Sequence, residues 1–186
     1  MNVADILQQR RTVHSYRPEP IPESALSAAL LAALHAPKHK LTFPWRFTVV
    51  GPIARGRLAD LAVELARKKP DDVLADGVVQ ATRAKITNPA VLVVASCVKS
   101  ADPATAREDY AAVSCAIQNL MLSLSADGIG SKWSTGKVTT HTRTYELLGI
   151  DVGVEEIVGF VWAGVPDGTP SAPSRPPIES VVRRVE

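Results

Sequence analysis

Cysteine is scarce in this chain: of 186 residues only Cys97 and Cys115 carry a thiol. They lie in separate apolar stretches and form no CxxC pair, which fits a reduced, cytoplasmic setting. Aromatic residues make up only 5%, and 21 Lys+Arg stand against 19 Asp+Glu for a formal charge of +2, with no basic block. A nucleic-acid partner is therefore not expected, because such binding shows a clustered basic patch or stripe. No apolar run approaches the length of a membrane span, and MNVADILQQRR carries acidic and polar residues where a secretory signal would be continuously apolar. The chain lacks GxxxxGK[ST], GxGxxG after a strand, and GxSxG, so a P-loop, a dinucleotide fingerprint and a serine-hydrolase elbow have no support. The acidic pairs Asp60/Glu64 and Glu108/Asp109 read as solvated helix faces and not as a catalytic dyad.

What is present suits a folded unit. With 46% hydrophobic residues, the chain is long enough for one well-buried core, and residues 1–186 are expected to form a single domain. Asn2 can cap a first helix ending near Arg10 or Arg11. Pro18, Pro20 and Pro22 keep the next stretch extended before a helix whose stripe is Leu26, Ala29, Leu30, Ala33 and Leu34. WRFTVV from Trp45 alternates like a strand, and a third helix spans roughly Ala54 to Lys68. After Pro70 the pattern weakens, and residues 71–86 are read as a mobile helical excursion, a candidate lid. AVLVVASCV from Ala90 is the mark of a strand covered on both faces, and IVGFVWAGV from Ile157 repeats it. Between them, Asp109 to Asp127 reads as a helix apolar on most sides, stopped by Gly128, and a short helix follows near Thr142 to Leu148. Residues 167–186 are too proline-rich for a helix and read as an extended C-terminal arm. The order of elements predicts an α+β, three-layer sandwich.

Three stretches carry chemistry. Gln9 to Tyr16, QRRTVHSY, sets Arg10 and Arg11 where the first helix ends, followed by Thr12 and His14. A guanidinium fork suits a phosphate, and each charge-assisted bond is worth roughly 1.5–3 kcal/mol. A solvated basic helix end is the competing reading. HAPKHKLTFPWRF crowds His35, His39, two lysines and large aromatics into a connection. Pro37 breaks the geometry of a helical i, i+4 histidine pair, and no further ligand lies near in sequence, which argues against a metal. GIGSKWSTG, Gly128 to Gly136, reads as a glycine-rich loop with Trp133, Ser134 and Thr135, able to offer backbone N–H groups and hydroxyls to phosphate or ribityl oxygens.

RRTVHSY, APKHKLTFPWRF, QNLMLSL and GIGSKWSTG, in this order, resemble the FMN-dependent nitroreductase family, and most of all its minimal branch with an AP-x-H-K signature. The resemblance runs from Ile6 to about Val182. It implies a nitroreductase-like α/β/α sandwich with a mainly antiparallel mixed sheet, and a homodimer that exchanges its C-terminal arm and seats FMN at the interface. It implies that Arg10, Arg11 and Thr12 bind the FMN phosphate and ribityl chain, joined by Arg175 from the arm. It places His35 and His39 at the cofactor from the partner subunit, with Trp133, Ser134 and Thr135 lining the ribityl chain and ring. Two departures stand out. His14 replaces a common Arg or Lys at the pyrimidine edge, so that hydroquinone stabilisation is expected to depend on pH. Phe43 replaces a common Gln or Glu before Pro-Trp and makes the substrate side more apolar.

The implied activity is ping-pong hydride transfer from NAD(P)H through FMN N5 to a small-molecule acceptor such as a nitroaromatic or quinone. The cofactor carries that chemistry, which agrees with the lack of an acid–base triad. The alternatives are a non-catalytic FMN-binding protein for storage or sensing, and a purely structural dimer.

Overall fold

Local capping starts the chain. In the computed structural model, which describes residues 2–69, 71–168 and 170–186, α1 (Val3–Gln9) opens with a capping box: the Asp5 amide donates to Asn2 and the Asn2 amide donates back to Asp5. Helix α2 (Glu23–Leu34) follows the proline stretch and buries Leu26, Ala29 and Ala33. Strand β1 (Trp45–Val49) leads through Gly51 into α3 (Pro52–Ala66), which has proline at its start, where the missing N–H costs nothing. Helix α4 (Asp76–Thr87) is a well-formed helix where the sequence pattern was weak; it buries Ile86.

Strand β2 (Val91–Val98) precedes α5 (Pro103–Ala126), the longest helix at 24 residues. It starts six residues earlier than its apolar stripe suggests, because Asp102 accepts the Thr105 amide at 3.0 Å and Pro103 occupies the first turn. Then come β3 (Gly130–Ser134), α6 (Lys137–Thr140), α7 (Thr142–Leu148) and β4 (Glu155–Gly164). GIGSKWSTG is therefore mostly a strand and not a loop. The glycines at its start and the hydroxyls at its end are turn residues by preference, but pairing with β4 supplies the backbone partners that local chemistry does not.

The sheet order is β1-β2-β4-β3, antiparallel throughout. A parallel element enters as an isolated bridge between Thr12 and Ser131. Alternation along β2 and β4 divides the core in two. Val93, Ala95, Cys97, Val161 and Ala163 pack under α2 and α5. Leu92, Val94, Phe160 and Trp162 face α3, Ile86 of α4 and Tyr145 of α7. This is the three-layer α+β sandwich expected. The arm beyond residue 170 has one 3-10 turn, Ile178–Ser180, and leaves Ile178, Val181, Val182 and Val185 exposed.

Candidate functional site

The basic end of α1 is placed by the bridge to β3. Arg10 closes α1 and the chain turns extended, so that Val13 is buried and donates its amide to the Ser131 carbonyl at 3.1 Å. Thr12 and His14, on either side of Val13, are exposed. Arg10, Arg11 and Ser131 line a cavity of about 260 Å³, together with Gln9, Ser125 and Gly130. Burial first, and then the charges of Arg175 and Arg11, push the Arg10 guanidinium below its ordinary range. Arg175, on the C-terminal arm, is thus close enough to Arg10 for its charge to act. The Ser131 hydroxyl is 1% exposed and has no hydrogen-bond partner. Arg10, Arg11 and an orphaned buried hydroxyl beside one cavity, with Arg175 near enough for its charge to act, suit an anion with several acceptor oxygens. Arg11 Nη1 also donates to the carbonyls of Gln8 and Arg10 at the end of α1.

Two further cavities lie elsewhere along the sheet. One of about 290 Å³ is lined by His14, Ser15, Tyr16, Ala84, Lys85 and Asp167. The next, about 300 Å³, shares Lys85 and adds Lys132, Ser134, Thr135, Phe160 and Trp162. Burial first, and then Lys85, push the Lys132 ammonium down from its ordinary value. Lys85 and Lys132 were missed in the sequence: one lies on the weakly patterned α4, the other on a stretch read as a loop.

The residues of GIGSKWSTG divide between the two faces of the sheet. Ser134 pairs with Phe160, and its Oγ accepts from Trp162 Nε1 at 2.7 Å, on the α3 side. Trp133 pairs with Val161 and packs on the α5 side; its own Nε1 is buried without a partner. Its indole takes the space a side chain on Gly159 would need, since a Cβ there would lie 2.2 Å from Nε1.

Neither His35 nor His39 lines the cavity of Arg10 and Arg11. His35 caps α2 and is exposed, and His39 Nε2 lies 3.5 Å from Glu108 Oε2. Phe43 is half exposed, with Lys38 Nζ 4.2 Å from its ring centroid. The connection that carries them is strained: Lys40, Leu41 and Phe43 have φ of 47°, 58° and 48°. A left-handed residue other than glycine costs roughly 1–3 kcal/mol. Asp109, read from the sequence as part of a solvated face, is instead buried at 4% exposure. The apolar stripe of α5, Ala112, Val113, Ala116, Ile117 and Leu120, reaches Asp109 when extended back by one turn. That periodicity was the available signal. Among the described residues no group of three His, Cys, Asp or Glu could hold a metal, and no helix is long and apolar enough to cross a membrane.

A model of the nitroreductase family matches residues 7–165. The chain belongs to the nitroreductase family. Among its relatives is Bacillus subtilis (strain 168) YfhC, whose name reads "Putative NAD(P)H nitroreductase"; the two are 28% identical over 176 residues, covering 94% of this chain and 89% of the relative. A nitroreductase-like family protein from Bacillus cereus superposes with a TM-score of 0.85 at 22% identity, over 100% of this chain and 97% of the other. The nitroreductase with bound FMN from Bacteroides fragilis superposes with a TM-score of 0.75 at 20% identity, over 100% of both. At these identities the two structures establish the shared nitroreductase fold.

Proposed function

We propose that this protein is an FMN-dependent NAD(P)H oxidoreductase, a cytoplasmic single-domain homodimer with the cofactor at the subunit interface. The observation that carries the reading is the unpartnered Ser131 hydroxyl beside a cavity lined by Arg10 and Arg11, with Arg175 near enough for its charge to act on Arg10. It gains weight from the FMN named in the B. fragilis structure and from NAD(P)H in the name of YfhC.

In this reading the guanidinium groups hold the phosphate, with Thr12 at the ribityl chain. His14 and Lys85, which share a cavity, face the pyrimidine edge, and Ser134 and Thr135 orient the ring. FMN, when bound, supplies hydride transfer at N5, taken from NAD(P)H and given in a second half-reaction to a nitroaromatic, quinone or related acceptor. Lys85 places positive charge where reduction builds negative charge. The apolar walls from Phe160 and Trp162 exclude water from the ring. His35 and His39, neither of which lines the cavity of Arg10 and Arg11, reach the cofactor of the partner. Exposed Leu31, Leu34, Leu41, Phe43 and the apolar residues of the arm supply surface for such a dimer.

The test is a visible spectrum of the purified protein with and without FMN, followed by anaerobic titration with NADH and NADPH and reoxidation by a nitroaromatic or quinone. Bound flavin that bleaches and reoxidises is the expected result. Flavin that binds and stays inert would favour storage or sensing, and a protein that refuses FMN would overturn the reading.

A further inference from the structure

We propose that Asp109 and Thr42 form a positioning clamp that sets the 36–44 segment so that His39 can reach a flavin. The inference rests on the cofactor reading above for what His39 touches; the clamp itself rests on geometry.

The Thr42 amide donates to the His39 carbonyl at 3.2 Å, closing a turn whose two central residues, Lys40 and Leu41, are both left-handed. Such a turn is favoured by Asn-Gly or Gly-Gly, and here it has neither. Phe43 repeats the strain one residue on. A segment with three such residues does not keep its shape by its own preference, so external contacts must impose it.

The contacts are unequal. The His39–Glu108 pair spans 3.5 Å with both side chains 46% exposed, which makes it weak and screened. Lys38 over Phe43 is also at the surface. Thr42 Oγ1 donates to Asp109 Oδ1 at 2.5 Å, the one contact here made to a buried charged group. Asp109 is fixed on α5, the longest helix, which packs against α2 and the sheet. Its neighbours along the stripe are Ala112, Val113 and Ala116, so packing alone would be satisfied by a small apolar residue. A carboxylate is costly in such a place unless it is hydrogen-bonded. Its charge is near enough to act, after burial, with Glu156 in raising the Cys97 thiol. The cost is balanced where Asp109 fixes the one residue that closes the His39 turn.

The test uses the full-length holoprotein and FMN. Thr42→Val removes the hydroxyl at constant shape from a residue outside the core, and Thr42→Ser restores it. The expected result is an FMN dissociation constant or hydride-transfer rate at least tenfold worse for Thr42→Val, with Thr42→Ser within twofold of the parent. Because the clamp acts through His39, the Thr42→Val effect disappears in a His39→Ala background; a merely structural role would leave it unchanged. Asp109→Ala is expected to reproduce Thr42→Val, and if it fails to fold, the Thr42 pair still decides. Parent protein that binds FMN, with Thr42→Val indistinguishable from it, overturns the clamp alone. Parent protein that binds no FMN overturns the reading beneath it.

Discussion

Replacing Arg10 by glutamine should separate binding from stability in opposite directions. In the free protein Arg10 is partly buried and repelled by Arg175 and Arg11. Removing its charge relieves both penalties. Repulsion between partly exposed charges is worth about 0.2–1 kcal/mol. Since 1 kcal/mol moves the melting temperature of a chain of this size by roughly 2–4 °C, Arg10→Gln without ligand should melt up to about 4 °C higher, and in no case lower. With FMN the sign reverses. A charge-assisted hydrogen bond to phosphate contributes roughly 1.5–3 kcal/mol, a factor of about 10 to 150 in the dissociation constant. Flavin fluorescence titration against both FMN and riboflavin isolates the phosphate, which riboflavin lacks. The expected result is a loss within that range for FMN and little change for riboflavin. An equal loss for the two flavins would refute the reasoning, as would a drop in melting temperature of the ligand-free variant.

Arg55 donates to the carbonyls of Ile86 at 3.0 Å, Thr87 at 2.8 Å and Ala90 at 3.1 Å, and also to Pro89. Arg55→Met should therefore cost at least roughly 1.5–3 kcal/mol in urea unfolding, and expose the end of α4 to amide exchange first. Gly159→Ala drives a methyl into Trp133, and about 1–3 kcal/mol of destabilisation with altered tryptophan fluorescence is expected. Cys97 is raised to about 11 from 9.0, by burial first and then by Asp109 and Glu156. A group raised in the folded state contributes stability fully present below its unfolded value, so this part is lost as pH climbs from 9 through about 11; Cys97→Ala should flatten that decline in alkaline melting curves. Lys85→Gln should lower the midpoint potential of bound FMN, measured by anaerobic dye titration, and an unchanged potential would remove Lys85 from the pyrimidine edge.

The legible elements were those that bury long apolar runs. β2, β4 and the body of α5 announce themselves because a strand or helix covered on several sides has little room for polar residues. α4 was faint because it buries little besides Ile86 and is anchored instead by Arg55, 31 residues away from that carbonyl, which no local window contains. β3 was misread because its strand character comes from a partner about thirty residues downstream. Within the candidate site, the paired arginines stood out in the sequence as either a phosphate fork or a basic helix end, and Arg11 does cap the carbonyls of Gln8 and Arg10, while Arg175 was named only through resemblance. Asp109 was visible only to a reader who trusted the period of α5 over the usual preference of aspartate for water.

The period-two geometry of β3 has an evolutionary consequence. Because Lys132 and Ser134 belong to the chamber beneath α3 while Ser131 and Trp133 belong to the opposite layer, a substitution at one of these positions reshapes one compartment and spares the other. Neighbouring codons can therefore drift under separate selection, and a saturation scan through this ribbon should show fitness effects that alternate in kind from one residue to the next.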